Sequence, residues 1–200
     1  MAVLGRNSDN VRIFGGLEDQ VWAAPVGRQV LPLGLEVLGG LWVPFGWLSE
    51  DGIAYEPSTE AEKITAHQGG ATVRVKSVRT EKTLGFTALE SHPLSRLAFD
   101  GAKPPKLTAT GSKVARMDLP ENIGVTEFAL VVDTFDDAPT GLVHERFCIE
   151  RWAVSERGSA QSTNSAVRGF ELTGDVLGKS YILTDAASFV EAAGTSVYTP

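Results

Sequence analysis

Along TVRVKSVRT, residues 72–80, polar and apolar positions alternate. Thr72, Arg74, Lys76 and Val78 point one way, and Val73, Val75 and Ser77 the other, the pattern of a strand wet on one face. TLGFTALE follows with Leu84, Phe86 and Ala88 on one face, and the charged RTEK between the two stretches predicts a hairpin turn. VTEFALVVDTF sets Phe128, Leu130 and Val132 against Glu127, Ala129, Val131 and Asp133. After the turn signal DDAPTG comes LVHERFCIERWAV, in which Val143, Phe147, Ile149 and Ala153 interleave with His144, Arg146, Cys148 and Trp152. These two segments predict a long hairpin. Weaker strand patterns lie at VRIF, QVWAAP, LWVPFGWL, KLTATG, VRGFELTG and SYILT. Many short strands bounded by turn residues predict a mainly β fold, a β-sandwich or partly open barrel.

One flanking helix is expected over SHPLSRLAFDG, with Ser91 as cap, Pro93 in the first turn, Leu94, Leu97 and Ala98 on one face and Gly101 at the exit. TDAASFVEAAG is a second candidate, capped by Thr184 or Asp185 and stopped by Gly194. Between the strand patterns lies GWLSEDGIAYEPSTEAEKITAHQGG, acidic and nearly empty of aliphatic residues. Irregular connections longer than about 12–15 residues in compact domains tend to be functional or disordered. The sequence therefore predicts a long loop over 49–70 that serves something outside the subunit.

Composition narrows the function. The 200 residues fit one domain, and 42% hydrophobic with 22% charged residues is globular material able to bury a core. Asp plus Glu number 25 against 18 Lys plus Arg, a net charge of −7, which argues against affinity-driven binding of nucleic acid. Cys148 is the only cysteine, so no disulfide forms within one chain, and a buried structural thiol is the expectation. No stretch has the length of an apolar membrane span, and no signal-like N-terminal run is present, so no membrane partner is expected.

The chemistry-bearing residues do not converge. His67, His92 and His144 are far apart, and strand alternation puts His144 and Glu145 on opposite faces, so no metal set is read. The glycine pairs at 15–16, 39–40 and 69–70 match no phosphate-binding loop and read as turns. Asp136 and Asp137 sit in turn chemistry rather than across a cleft. Trp22, Trp42, Trp47 and Trp152 could line a ligand patch, but read first as core or interface fillers. No catalytic residue, metal or cofactor is assigned, and the chain is read as a non-enzyme.

The order NSDNVRIFGG, VWAAPVG, FGWLSEDGI, EKITAHQGGATVRVKSVRTEKTLGFTALES and HPLSRLAFDG resembles the major tail protein of long, flexible-tailed bacteriophages. The likeness spans most of the chain; GRQVLPLGLEVLGGLWVP and the last twenty residues depart from it. It implies one tail-tube-type domain over 1–200, ending in a less typical segment 180–200. Its copies would form hexameric rings stacked into the tail tube of the virion, made in the host cytoplasm, with other tail proteins at the tube ends. DNA would pass through without specific binding. The segment 49–68 would be an inter-ring loop carrying Glu50, Asp51, Glu56, Glu60, Glu62 and Lys63, and Glu127, Asp133, Glu145 and Glu150 are candidates for an acidic lumen wall. The alternatives are another β-sandwich virion component (a tail terminator, capsid decoration or adaptor protein) forming a discrete oligomer and, further off, a small-ligand barrel or enzyme.

Overall fold

A computed structural model describes residues 10–65, 67, 71–138 and 141–193. The strands are β1 (Gln20–Pro25), β2 (Val43–Pro44), β3 (Leu48–Thr65), β4 (Thr72–Ala88), β5 (Lys106–Leu107), β6 (Ala115–Arg116), β7 (Thr126–Ala138), β8 (Gly141–Arg157) and β9 (Phe170–Thr184), with helices α1 (Pro93–Asp100) and α2 (Ala187–Ala193). Seven strands join in the order β2-β1-β7-β8-β9-β4-β3, and β5 pairs with β6 separately. The fold is mainly β with a flanking helix, as the alternation predicts. The large sheet has β2 and β3 as edges and does not close into a barrel.

The chain divides into two compact units, one of residues 1–48, 127–151 and 178–200, the other of 49–126 and 152–177. In the first, β1 and β7 pair antiparallel with Val21 opposite Val132 and Ala23 opposite Leu130. Alternation then sends Trp22, Ala24, Ala129 and Val131 to the opposite face, where Ala24, Ala129 and Val131 meet Cys148 and Trp42 in a buried cluster. Leu31 and Leu38 pack against that cluster, as do Trp22, Tyr181 and Leu183. The irregular stretch 26–42 thus closes this face, although its sequence shows no strand or helix period.

In the second unit, β4 pairs antiparallel with β9 from Thr83–Asp175 to Ala88–Phe170. Leu84, Phe86 and Ala88 turn inward together. Trp152 is fully buried, stacks on Phe86 at 5.6 Å and donates from Nε1 to the Leu84 carbonyl at 3.0 Å. A Cβ on Gly174 would come within 2.5 Å of the indole, so the strand passes the tryptophan only as glycine. α1 covers this unit through an edge-to-face contact of Phe99 with Phe170 and through Arg157, which donates to the Ala98 carbonyl at 3.2 Å. Pro93 opens the helix as expected, and Gly101 closes it at φ 62°. The cap is His92 rather than Ser91: its Nδ1 accepts from Leu94 N at 3.2 Å, doing the work usually given to a hydroxyl or carboxylate.

The structure departs from the expected elements in four further places. RTEK is no turn, because β4 runs unbroken from Thr72 to Ala88 and the charged residues simply take their places in the alternation. VRGFELTG and SYILT merge into the single strand β9. VRIF forms no strand. Most consequentially, of the segment 49–70 expected as an irregular loop, 49–65 is strand throughout. Its polar side chains gave no alternation to read, and the backbone ladder with β4 makes the strand. α2 forms where expected, with Thr184 Oγ1 accepting from Ala186 N at 3.2 Å, whereas Gly194 lies outside the described residues, as do Gln68, Gly69, Gly70 and the turn residues Pro139 and Thr140.

Candidate functional site: an exposed arm and a buried ion pair

β3 and β4 leave the packed part of their unit as a two-stranded arm. Ala54–Thr65 and Thr72–Glu81 are exposed at every position, on both faces of the ribbon. At about 3.3 Å per residue the arm is on the order of 35 Å long. The β4–β9 register stops at Thr83, so Thr72–Lys82 lies beyond it, and β3 is the outer edge of the sheet. Both rims of the arm therefore present unpaired backbone groups. A lone two-stranded ribbon is marginal in water, and long open edges invite a further strand.

The arm carries the residues singled out in the sequence. Glu56, Glu60 and Glu62 fall on one face of β3 by alternation, with Lys63 on the other. Glu50 and Asp51 sit near its base, where Asp51 Oδ2 accepts from Ser49 Oγ at 3.4 Å. Sequence reasoning read 72–80 as a strand of an ordinary sheet and missed that it is the second strand of this arm. Arg74, Lys76, Arg79 and Lys82 lie along the same arm, and Val73, Val75 and Val78 are 63%, 57% and 58% exposed. The signal was present in the 17-residue run of strand-forming and basic residues, obscured by reading RTEK as a turn.

The four acidic positions assigned to a lumen wall are not equivalent. Glu127 is exposed and pairs with Arg151 at 3.2 Å. Glu150 is exposed and accepts from Lys179 N at 2.8 Å. Glu145 is half-buried. Asp133 is different: it is 5% exposed, so the picture of it as a solvated wall carboxylate gives way to a buried ion pair. Arg146, itself buried, grips it bidentately, Nε to Oδ1 at 2.6 Å and Nη2 to Oδ2 at 3.1 Å. His144 Nε2 lies 2.9 Å from the same Oδ1, its ring stacked on Phe135 at 4.3 Å.

The guanidinium has a second use. Nη1 donates to the carbonyls of Gly34 and Glu36, each at 2.9 Å. Tyr181 donates its hydroxyl to the Pro32 carbonyl at 2.7 Å, and Cys148 Sγ lies 4.0 Å from the same oxygen. Three backbone carbonyls of the 26–42 stretch are thus anchored from β8 and β9. Burial pushes the Cys148 thiol up to about 11, and burial with the neighbouring thiol raises the Tyr181 phenol. At pH 8 only about one thiol in a thousand would be ionised, so alkylation of Cys148 by iodoacetamide should run at least roughly a hundredfold slower in the native protein than in denaturant. Comparable rates in the two conditions would show that the thiol is not held in this environment.

The remaining expectations resolve as packing. Trp152 and Trp42 are buried, Trp22 is partly buried against the same cluster as Trp42, and Trp47 is 64% exposed, so the four form no single aromatic patch. Asp136 is buried beside Arg12 at 3.4 Å and Asp137 is exposed. Among the described residues no group of three His, Cys, Asp or Glu side chains could hold a metal ion, and no described helix is long and apolar enough to cross a membrane.

No family model matches the sequence, and no curated protein matches it. Among solved structures, the chain is similar to one described as "Tail of empty GTA particle computed with helical refinement, C6 symmetry". The two are 12% identical with a TM-score of 0.41, over 84% of this chain and 98% of that one. That is a likeness too distant to carry shape or function from one chain to the other.

Proposed function

We propose that this chain is a structural virion protein that assembles with copies of itself into hexameric rings stacked as a phage tail tube, the conduit for ejected DNA. The observation that carries the self-assembly is the arm. Its two strands are exposed on both faces and open along both rims, a state that water does not stabilise and a sister subunit would. The resemblance in segment order supplies the ring number and the tube. In that setting residues 49–65, with Glu50, Asp51, Glu56, Glu60, Glu62 and Lys63, form an inter-subunit contact made of strand rather than loop.

The net charge of −7 suits a conduit that must not hold DNA, since basic walls would gain affinity by counterion release. Glu127, Glu145 and Glu150 remain the wall candidates, and Asp133 serves the fold.

Negative-stain electron microscopy of the purified protein tests the reading. Long hollow tubes are expected, and these tubes should not retain duplex DNA at about 0.15 M salt, where a Debye length is about 8 Å. A discrete ring or small closed oligomer would move the chain to the tail-terminator or decoration class. Tubes that retain DNA would remove the acidic-wall assignment alone.

A further inference from the structure

The two strands of the arm carry opposite charge. Over Glu56–Thr65, three glutamates stand against Lys63; over Thr72–Lys82, Arg74, Lys76, Arg79 and Lys82 stand against Glu81. The simplest use of such a pattern is neutralisation inside one hairpin. The side chains do not adopt it: among the described residues Glu56, Glu60, Glu62, Arg74 and Lys76 make no ion pair, and Arg79 bonds along its own strand to Glu81. Charge on an edge strand can also serve only to repel other edges. That purpose needs one sign, and here the two rims of the ribbon differ.

We propose that the arm pairs with the arm of another copy of this chain, the acidic β3 rim of one against the basic Thr72–Lys82 rim of the next. The inference rests on the self-assembly reading above and names the contact that performs it. Backbone groups on both rims supply the ladder, as in strand addition to a sheet edge. The charges select which rim meets which. β3 against β3 and β4 against β4 set like charges on adjacent strands, whereas β3 against β4 sets opposite ones. Because donor and acceptor rims are different surfaces, the contact is head-to-tail, and repeating it gives a closed ring or an open filament rather than a two-fold dimer. Val73, Val75 and Val78, exposed in one copy, gain cover on the same pairing.

Charge reversal tests the pairing. One variant carries Glu56→Lys, Glu60→Lys and Glu62→Lys, and a second carries Arg74→Glu, Lys76→Glu and Arg79→Glu. Each alone has two rims of like sign, and the association constant read from sedimentation should fall about tenfold or more, the effect of a 1.4 kcal/mol penalty per contact. An equimolar mixture should assemble again with the variants alternating, and so should a chain carrying all six changes. Circular dichroism of each variant checks that it is folded. Wild-type-like assembly of either single-rim variant overturns the rim pairing and leaves self-assembly standing. Failure of both the mixture and the six-fold variant to recover also overturns it, because the charges then act on something other than each other. An unmodified protein that stays monomeric sinks the self-assembly reading itself.

Discussion

Replacing Pro57–Thr80 by an Asn-Gly turn should leave a folded monomer that forms no tubes, at concentrations where the unmodified protein is fully assembled. The described residues among those excised bury no side chain. From Ala54 to Thr65 and from Thr72 to Glu81 every described position is exposed, and inward alternation begins only at Leu84. Asn-Gly favours the two-residue turn whose twist matches paired strands, so the shortened hairpin keeps its base. Loss of the arm should therefore shift the thermal midpoint of the monomer by no more than a few degrees, while the assembled fraction drops below detection. Normal tubes from the shortened chain would remove the arm from the assembly mechanism, and with it the main support for the proposed function.

The second large effect belongs to Arg146→Met. The substitution keeps an apolar stem of similar length but leaves the Asp133 carboxylate, in a site 5% exposed, with only His144 of the partners named above, and leaves the Gly34 and Glu36 carbonyls without their Arg146 donor. Breaking a buried pair from one side costs about 3–5 kcal/mol. For a chain of this size the thermal midpoint should fall by roughly 6–20 °C, at about 2–4 °C per kcal/mol. Asp133→Leu combined with Arg146→Met should recover the part of that loss due to the unpaired carboxylate, because a buried pair exchanged for apolar side chains is often near neutral, while the Gly34 and Glu36 carbonyls stay without their Arg146 donor. Calorimetry of the wild type, both single variants and the double variant closes the cycle. A single variant as stable as the wild type would mean the ion pair is not formed in solution.

Legibility in the sequence followed the physics of each element. The β7–β8 hairpin could be read because one face of each strand is apolar and DDAPTG marks a reversal, although Asp136, Asp137 and Ala138 belong to β7 and Gly141 opens β8. α1 could be read because Pro93 and Gly101 mark its ends by backbone chemistry that tertiary context rarely overrides. β3 could not. EPSTEAEK has no apolar face, and a strand satisfied by its ladder alone leaves no period in its side chains. The continuity of β4 was hidden for a related reason: RTEK is exposed, so a turn and a wet strand look alike there.

The candidate site was legible in half. The acidic residues of the arm stood out by their density, whereas the basic ones were spread through a strand assigned to an ordinary sheet. Asp133 was misjudged because a carboxylate on an alternating strand reads as a solvated charge until its cross-strand neighbour is known. That neighbour was within reach. If the turn is taken as Pro139 and Thr140 alone, counting outward along both strands sets Asp133 opposite Arg146. The chain entering from 26–42 was beyond any such count, since the groups that fix it come from residues more than a hundred positions away.

That last attachment has an evolutionary corollary. Arg146 and Tyr181 grip main-chain oxygens, which every amino acid possesses, and few outward side chains of the strap take part. Val30, Leu33 and Val37 are 81%, 86% and 93% exposed. Their identities can drift from one lineage to another with little penalty to the fold, so the outward side chains of this stretch can be rewritten while its attachment stays the same.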